Sequence, residues 1–120
     1  MATTYPVNEK TTARYTATLM DETGAAISGA SLSTLTLTLF DRRSGSIINT
    51  RSAQNVLNAN GVTVDSSGNL VWTMSPADNA IIGSVEVEEH GALFEWTWAA
   101  GAKAGRHEVT FAVMNFLKVT

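Results

Sequence analysis

Short segments in which apolar and polar residues alternate occur along most of the chain. This period of two predicts β-strands with one buried face. The clearest segment is 32–40, where threonine and leucine alternate from Thr34 to Leu39. Leucine is also compatible with a helix, but interleaved threonines lose side-chain freedom there and pack well on a pleated sheet. We therefore predict a strand at 32–40, and the same alternation predicts another at 11–20.

A β-hairpin is predicted in the middle of the chain. The dipeptide Asn-Gly at 60–61 favours a turn, because both residues tolerate positive φ. Val62 and Val64 would then pair with a strand at 70–74, across the glycine-containing loop 65–69.

The remaining elements have weaker patterns. A short edge strand is predicted near 46–51, followed by an irregular Asn- and Ala-rich segment at 52–60. Ser75 and Pro76 predict the start of a short helix, because serine caps helices and proline fits the first helical position. Three further strands are predicted, at 85–88, at 93–98 and from about 106 to 114.

About seven short strands and one short helix, separated by turns, predict an all-β fold, an immunoglobulin-like antiparallel β-sandwich. The residues expected to fill the space between its sheets are large and apolar: Leu35, Leu37, Leu39, Trp72, Phe94, Trp96, Phe111 and Val113. A length of 120 residues suits a single domain, predicted at 11–120. The polar residues 1–10 are predicted to form a flexible N-terminal arm.

Composition limits the partners and compartments to be considered. The chain has no cysteine, which excludes disulfides and thiolate metal sites, and its formal net charge of −3 argues against a nucleic-acid partner. The first residues have neither a basic nor an apolar stretch, and the most apolar run, 97–102, is far shorter than the roughly 20 residues that span a bilayer. We therefore expect synthesis in the cytoplasm without a signal peptide, and no membrane partner.

Two histidines and several acidic residues are candidate metal ligands. Glu88, Glu89 and His90 lie together, and His107 and Glu108 could lie on a neighbouring strand. Adjacent residues of a strand point to opposite faces, so Glu89 and His90 would not share a site. We predict no metal and no other cofactor, with two partly exposed histidines instead.

Other catalytic or binding patterns are incomplete. Asp65, Ser67 and Asn69 resemble part of a calcium loop, but the glycine and glutamate of that pattern are missing, so a hairpin turn is predicted. Glu86 and its acidic neighbours Glu88 and Glu89 are predicted to form a solvated or edge-protecting face. No serine lies in a Gly-x-Ser-x-Gly motif. We therefore expect no enzymatic activity and no catalytic residues.

Aromatic and basic residues allow two readings each. Phe94, Trp96 and Trp98 share one face of a predicted strand, where they would form core or, if exposed, a carbohydrate-binding platform. The local basic groups would be solvated or would contact a partner at a rim: Arg42, Arg43, Lys103 and Arg106.

The order of these features resembles a known family, the N-terminal immunoglobulin-like domain of upper baseplate proteins of tailed bacteriophages and of related small virion proteins. The resemblance lies in residues 17–27 (ATLMDETGAAI), 35–41 (LTLTLFD), 68–74 (GNLVWTM), 75–78 (SPAD) and 92–98 (ALFEWTW). It implies a non-enzymatic virion protein that contacts other virion proteins, in symmetric copies, through sheet edges, loops and the N-terminal arm. We expect a tail or baseplate module; the alternatives are a capsid decoration or head-to-tail connector protein and a carbohydrate-binding host-recognition module.

Overall fold

Two β-sheets pack face to face in the computed structural model, which describes residues 4–83 and 85–116. Its strands are β1 (Thr4–Asn8), β2 (Ala13–Thr18), β3 (Leu32–Asp41), β4 (Gln54–Asn55), β5 (Val62–Val64), β6 (Asn69–Met74), β7 (Val87–Trp98) and β8 (Lys103–Met114). The larger sheet has the order β1-β8-β7-β3-β4 and the smaller one β2-β6-β5. This is the order of an immunoglobulin-like sandwich, with β2, β6 and β5 in one sheet and β3, β7 and β8 in the other.

The predicted core is confirmed. All eight residues expected between the sheets are at most 7% exposed. Trp72 of β6 lies at the centre, and its ring meets Phe94 and Phe111 edge-on, at centroid distances of 5.7 and 6.1 Å. These contacts join the smaller sheet to the larger one, since β6 belongs to the first and β7 and β8 to the second.

The predicted hairpin is also confirmed. Val62 pairs with Trp72 and Val64 with Leu70 in an antiparallel ladder between β5 and β6. In the loop, Asp65 Oδ1 accepts the backbone N–H groups of Ser67 and Asn69, at 2.8 and 2.9 Å. The Asp65 carboxylate therefore closes a hairpin turn, as predicted.

The predicted short helix begins where expected, as a 3₁₀ helix at Pro76–Asn79. A second 3₁₀ helix, at Gly29–Ser31, was not predicted. None of the helical segments among residues 4–83 and 85–116 is long and apolar enough to cross a membrane.

The prediction of an edge strand at 46–51 is wrong. That segment is a loop with a single bridge from Ile47 to Phe40, because Asn49 and Thr50 adopt positive φ angles of 53° and 55°, which an extended strand cannot contain. The edge strand β4 lies instead at Gln54–Asn55, inside the segment predicted to be irregular. The strand predicted to begin near 85 begins at Val87.

The flexible arm predicted at 1–10 is corrected for the described residues. Strand β1 pairs in parallel with the C-terminal half of β8, which makes the larger sheet mixed rather than wholly antiparallel. Val7 is 8% exposed and belongs to the core cluster, and the N–H of Glu9 continues the pairing to Met114 O at 3.0 Å. Residues 1–3 of the predicted arm and 117–120 of the predicted domain lie outside the described residues.

Val7→Asp tests whether β1 is docked. We expect the free energy of unfolding to fall by about 2–3 kcal/mol, because the carboxylate would enter the apolar interior. Asn8→Asp is the matched control, because Asn8 is the next residue of β1 and is exposed; its effect should stay within about 0.5 kcal/mol. Urea unfolding of both variants measures the difference, and equal stabilities would show that β1 does not contribute to the fold.

Candidate interaction site

Four parts of the chain meet at one end of the sandwich, which we call the locked end. It consists of residues 9–12, 42–53, 75–83 with 85–86, and 115–116. Strands β1, β3, β6 and β8 finish there and β2 and β7 begin there, as the pairings of Asn8 with Met114, Met114 with Val87, and Ala13 with Met74 require. The buried ionic and polar side chains described next fix these loops.

The first buried pair at the locked end is Arg51 with Asp78. Arg51 Nε lies 2.6 Å from Asp78 Oδ1 and Nη2 lies 3.1 Å from Oδ2, so the contact is bidentate. The two side chains are 6% and 0% exposed. Such a pair is stable inside a protein only when its remaining donors and acceptors are also satisfied.

Polar groups around the pair supply those partners. The Asp78 carboxylate also accepts hydrogen bonds from Asn49 Nδ2 and from the N–H of Ser75, both at 2.8 Å. Burial alone would raise the pKa of Asp78, but the hydrogen bonds from Arg51, Asn49 and Ser75 outweigh it and hold the pKa below its ordinary value. The guanidinium donates further to Gln54 Oε1 and Asn60 O, and it lies 5.9 Å from the Trp72 ring centroid. The pair thus joins two loops to the core.

The second buried pair is Glu88 with His90, which corrects two expectations. His90 is 0% and Glu88 3% exposed, whereas a partly exposed histidine and a solvated glutamate were predicted. Both side chains point inward and Glu89 points outward, as strand alternation requires. His90 Nε2 lies 2.6 Å from Glu88 Oε1, and the imidazole meets the Phe111 ring edge-on.

Glu88 also fixes the loop before β7. Its two oxygens accept the N–H groups of Ile82 and Gly83, at 3.0 and 2.7 Å. The hypothesis of a metal site gains no support, because no group of three or more histidine, cysteine or acidic side chains within the described ranges could hold an ion. His107, the other candidate ligand, is exposed on β8.

Further hydrogen bonds fix the remaining segments at the locked end. Asn115 donates its N–H to Glu86 O and its side-chain amide to Val85 O, both at 2.9 Å. The buried carboxylate of Glu9 accepts the N–H of Phe116 at 2.8 Å. Asn79 Nδ2 donates to Thr11 O at 2.8 Å.

Apolar side chains remain exposed on this rigid framework. Val87 and Met114 are cross-strand partners with 48% and 36% exposure, and Phe116, two residues further on, is 50% exposed. We call Val87, Met114 and Phe116 the apolar end patch. Exposed apolar residues on two paired strands and on the segment that follows one of them are a candidate protein–protein contact.

Asp41 and Glu88 are among the residues that line a cavity of about 350 Å³ beside β7. Glu88 is bound as described above, and Asp41 accepts Ser44 Oγ at 2.7 Å and the N–H of Arg43 at 3.3 Å. Burial alone would raise the pKa of Asp41, but these hydrogen bonds hold it below its ordinary value. The carboxylates of Asp41 and Glu88 are therefore engaged in holding backbone turns.

The aromatic stripe lies mostly in the core. Phe94 and Trp96 are 2% and 7% exposed, and Trp98 is partly buried against the same cluster. The Trp96 indole lies directly under Gly105, where a Cβ would come within 2.6 Å of the ring. These aromatic rings therefore do not form the exposed platform that carbohydrate binding requires.

Three of the four basic groups singled out in the sequence have acidic partners. Arg42 Nη1 donates to Glu108 Oε2 at 2.9 Å. Lys103 Nζ lies 2.6 Å from Glu22, and Arg106 Nη2 lies 3.9 Å from Glu95. Exposed pairs of this kind contribute little stability, but they leave these three cations partnered rather than gathered into one basic surface.

Asp78→Asn should lower the free energy of unfolding by about 3–5 kcal/mol, because the buried Arg51 charge loses its counter-ion. Glu89→Gln makes the same chemical change on an exposed side chain and should cost less than about 1 kcal/mol. Since folding lowers the Asp78 pKa below 3.8, the stabilisation is present above pH 3.8 and is lost as the pH falls through the lowered pKa. Acid-dependent denaturation should show this loss in the wild type and not in Asp78→Asn. Equal pH profiles would contradict the role of the pair.

Glu88→Ala should loosen the loop before β7, because the amides of Ile82 and Gly83 lose their acceptor. We expect these two amides to exchange with solvent roughly tenfold faster, as measured by nuclear magnetic resonance. Glu89→Ala, one residue away on the outer face, should leave both rates unchanged. Identical exchange in the two variants would show that Glu88 does not hold the loop.

Comparisons with known proteins return no relative. No family model matches the chain, and neither a curated protein nor a solved structure matches it. The same sandwich serves unrelated functions in many proteins, so the function has to be argued from the surface features described above.

Proposed function

We propose that this chain is a non-enzymatic structural protein of a tailed-bacteriophage virion, acting as an interaction module of the tail or baseplate. The segments that carry the family resemblance support this: 35–41 lies within β3, 92–98 within β7, and 69–74 forms β6. The immunoglobulin-like strand order is the fold that the resemblance implies. The partners are other virion proteins, including symmetric copies of the chain.

The observation that carries the proposal is the apolar end patch, which adjoins the locked end. An interface formed on backbone that is already fixed loses little conformational entropy on binding, so a modest apolar contact becomes effective. The Arg51–Asp78 and Glu88–His90 pairs supply that rigidity by joining loops to the core. A structural protein that holds its neighbours in place in a particle needs both a rigid framework and a surface that binds them.

The hydrogen bonds made by the buried carboxylates support the non-enzymatic part of the proposal. Acid–base catalysis needs a carboxylate or imidazole that can reach a substrate. Asp41, Asp78 and Glu88 instead accept backbone N–H groups that hold turns or loops. The carbohydrate alternative loses its motivation with the burial of Trp96.

Incorporation into particles tests the proposal. The wild-type chain should copurify with virions of the phage that encodes it, in a fixed ratio to the tail proteins. Met114→Lys should reduce incorporation at least tenfold, because a charge in the apolar end patch opposes burial against a neighbour. Met20→Lys is the matched control, since Met20 is 51% exposed and lies outside the locked end, and its incorporation should be normal.

Several results would overturn the proposal. Wild-type protein found only in the lysate would exclude a virion role, and equal incorporation of the two lysine variants would exclude the apolar end patch. Circular dichroism and thermal unfolding of both variants exclude misfolding as the cause. Antibody labelling of the particles distinguishes the tail from the head, where a capsid decoration or connector protein would be found.

A further inference from the structure

The open edge of β2 is a surface that the proposed function does not use. Leu19 donates its N–H to Gly68 O at 2.9 Å, in the same register as the pairing of β2 with β6. Antiparallel pairing alternates, so the N–H and C=O groups of Arg14, Thr16 and Thr18 point away from the sheet. These groups have no hydrogen-bond partner among the described residues. They form a strand edge that is free to pair.

The other sheet edges are less suited to pairing. Strand β1 contains Pro6, which lacks an N–H group, and β4 has only two residues. Strand β5 has three residues, and the N–H of Val64 is already donated to Asn58 Oδ1 at 2.8 Å. Strand β2 has six residues and no proline. Short strands and proline are two of the features that protect an edge, and β2 has neither.

Apolar space accompanies this edge along most of its length. A cavity of about 260 Å³ lies between β1 and β2, with Val7, Met74 and Phe111 among its lining residues. A smaller one of about 40 Å³ follows beside Leu19 and Trp96, and Tyr15 lines both. We call the open edge of β2 and these two cavities the β2 seam. The larger cavity is below the roughly 300–1,000 Å³ of typical small-molecule sites, but it lies where alternate side chains of an added strand would point.

The charges of the β2 seam favour an acidic partner. Arg14 is exposed and, among the described residues, is the one charged residue lining the larger cavity, and none of the described Asp or Glu residues lines either cavity. Within the described ranges Arg14 forms no ion pair, unlike Arg42, Lys103 and Arg106. Its side chain lies on the outer face of β2, where it would meet the outward-pointing residues of a strand paired to that edge.

We propose that the β2 seam binds an extended segment of another protein in which apolar residues alternate with acidic ones. The segment adds a strand to the smaller sheet, its backbone pairs with Arg14, Thr16 and Thr18, its apolar side chains enter the seam, and its carboxylates lie beside Arg14. The surface is separate from the apolar end patch, and the purified chain can be tested without any particle. Failure of this proposal and failure of the proposed function are therefore distinguishable.

Two synthetic hexapeptides provide the probes, Val-Glu-Val-Glu-Val-Glu and Val-Lys-Val-Lys-Val-Lys, each with blocked termini. The acidic peptide should bind the full chain and slow amide exchange at Arg14, Thr16 and Thr18, with little change at β5. Arg14→Glu should weaken its binding about fivefold to tenfold and favour the basic peptide. Arg43→Glu makes the same charge change on a turn outside the seam and should have no effect.

A backbone variant tests strand addition separately from charge. Thr16→Pro removes the central free N–H and should abolish peptide binding; if this variant does not fold, the two glutamate variants decide the question. Absence of binding at millimolar peptide, equal binding of both peptides, or an unchanged preference in Arg14→Glu would overturn the proposal. Concentration-dependent protection of the same amides without peptide, with a dimer in sedimentation analysis, would also overturn it, because the occupant would then be a second copy.

Discussion

Contact between Trp72 and the larger sheet is the interaction on which the rest of the structure depends. Its ring meets Phe94 and Phe111 edge-on, and the Arg51 guanidinium lies against it on the side of the loops. One side chain therefore connects the apolar interior to the buried ion pair. If Trp72 moved, the sheets would lose two of the ring contacts between them, and Arg51 would lose the aromatic surface beside which it reaches Asp78.

Burying a charged side chain costs free energy that an apolar side chain of similar volume would not cost. The two buried pairs are therefore better explained by the loop geometry that they fix than by a gain in stability. Arg51 and Asp78 come from loops that pack beside each other only when β3 and β6 lie in facing sheets. A wrong arrangement of these loops would leave an unpaired buried charge. We therefore regard the pairs as fixing one loop conformation at the locked end, which is the property the apolar end patch requires.

The sequence predicted the features that depend on local pattern. Strand β3 and the hairpin of β5 and β6 follow from alternation and turn residues, and Leu37 and Trp72 are buried because that alternation turns them inward. Parallel pairing of β1 with β8 was missed, since it joins residues more than a hundred positions apart and Pro6 weakens the strand pattern.

The candidate site was largely beyond prediction for the same reason. Nothing near Arg51 in the sequence identifies Asp78 as its partner, and Glu88 looks like one of several surface glutamates until its neighbour His90 is found in the interior. The N-cap signal of Ser75 and Pro76 predicted the short helix, but it did not predict that Asp78 forms an ion pair with the distant Arg51. Long-range ionic contacts have no periodicity to reveal them, so they require the fold.

The two proposed surfaces use different physical interactions, and together they would give the chain two independent means of attachment. The apolar end patch relies on exposed carbon atoms held by a rigid framework, so it suits a partner with a complementary shape. The β2 seam relies on unpaired backbone groups and one arginine, so it suits an extended segment whatever the fold of the protein that carries it. Because β2 joins the core through Tyr15 and β6, a strand added there would extend the smaller sheet without disturbing the pairs at the locked end.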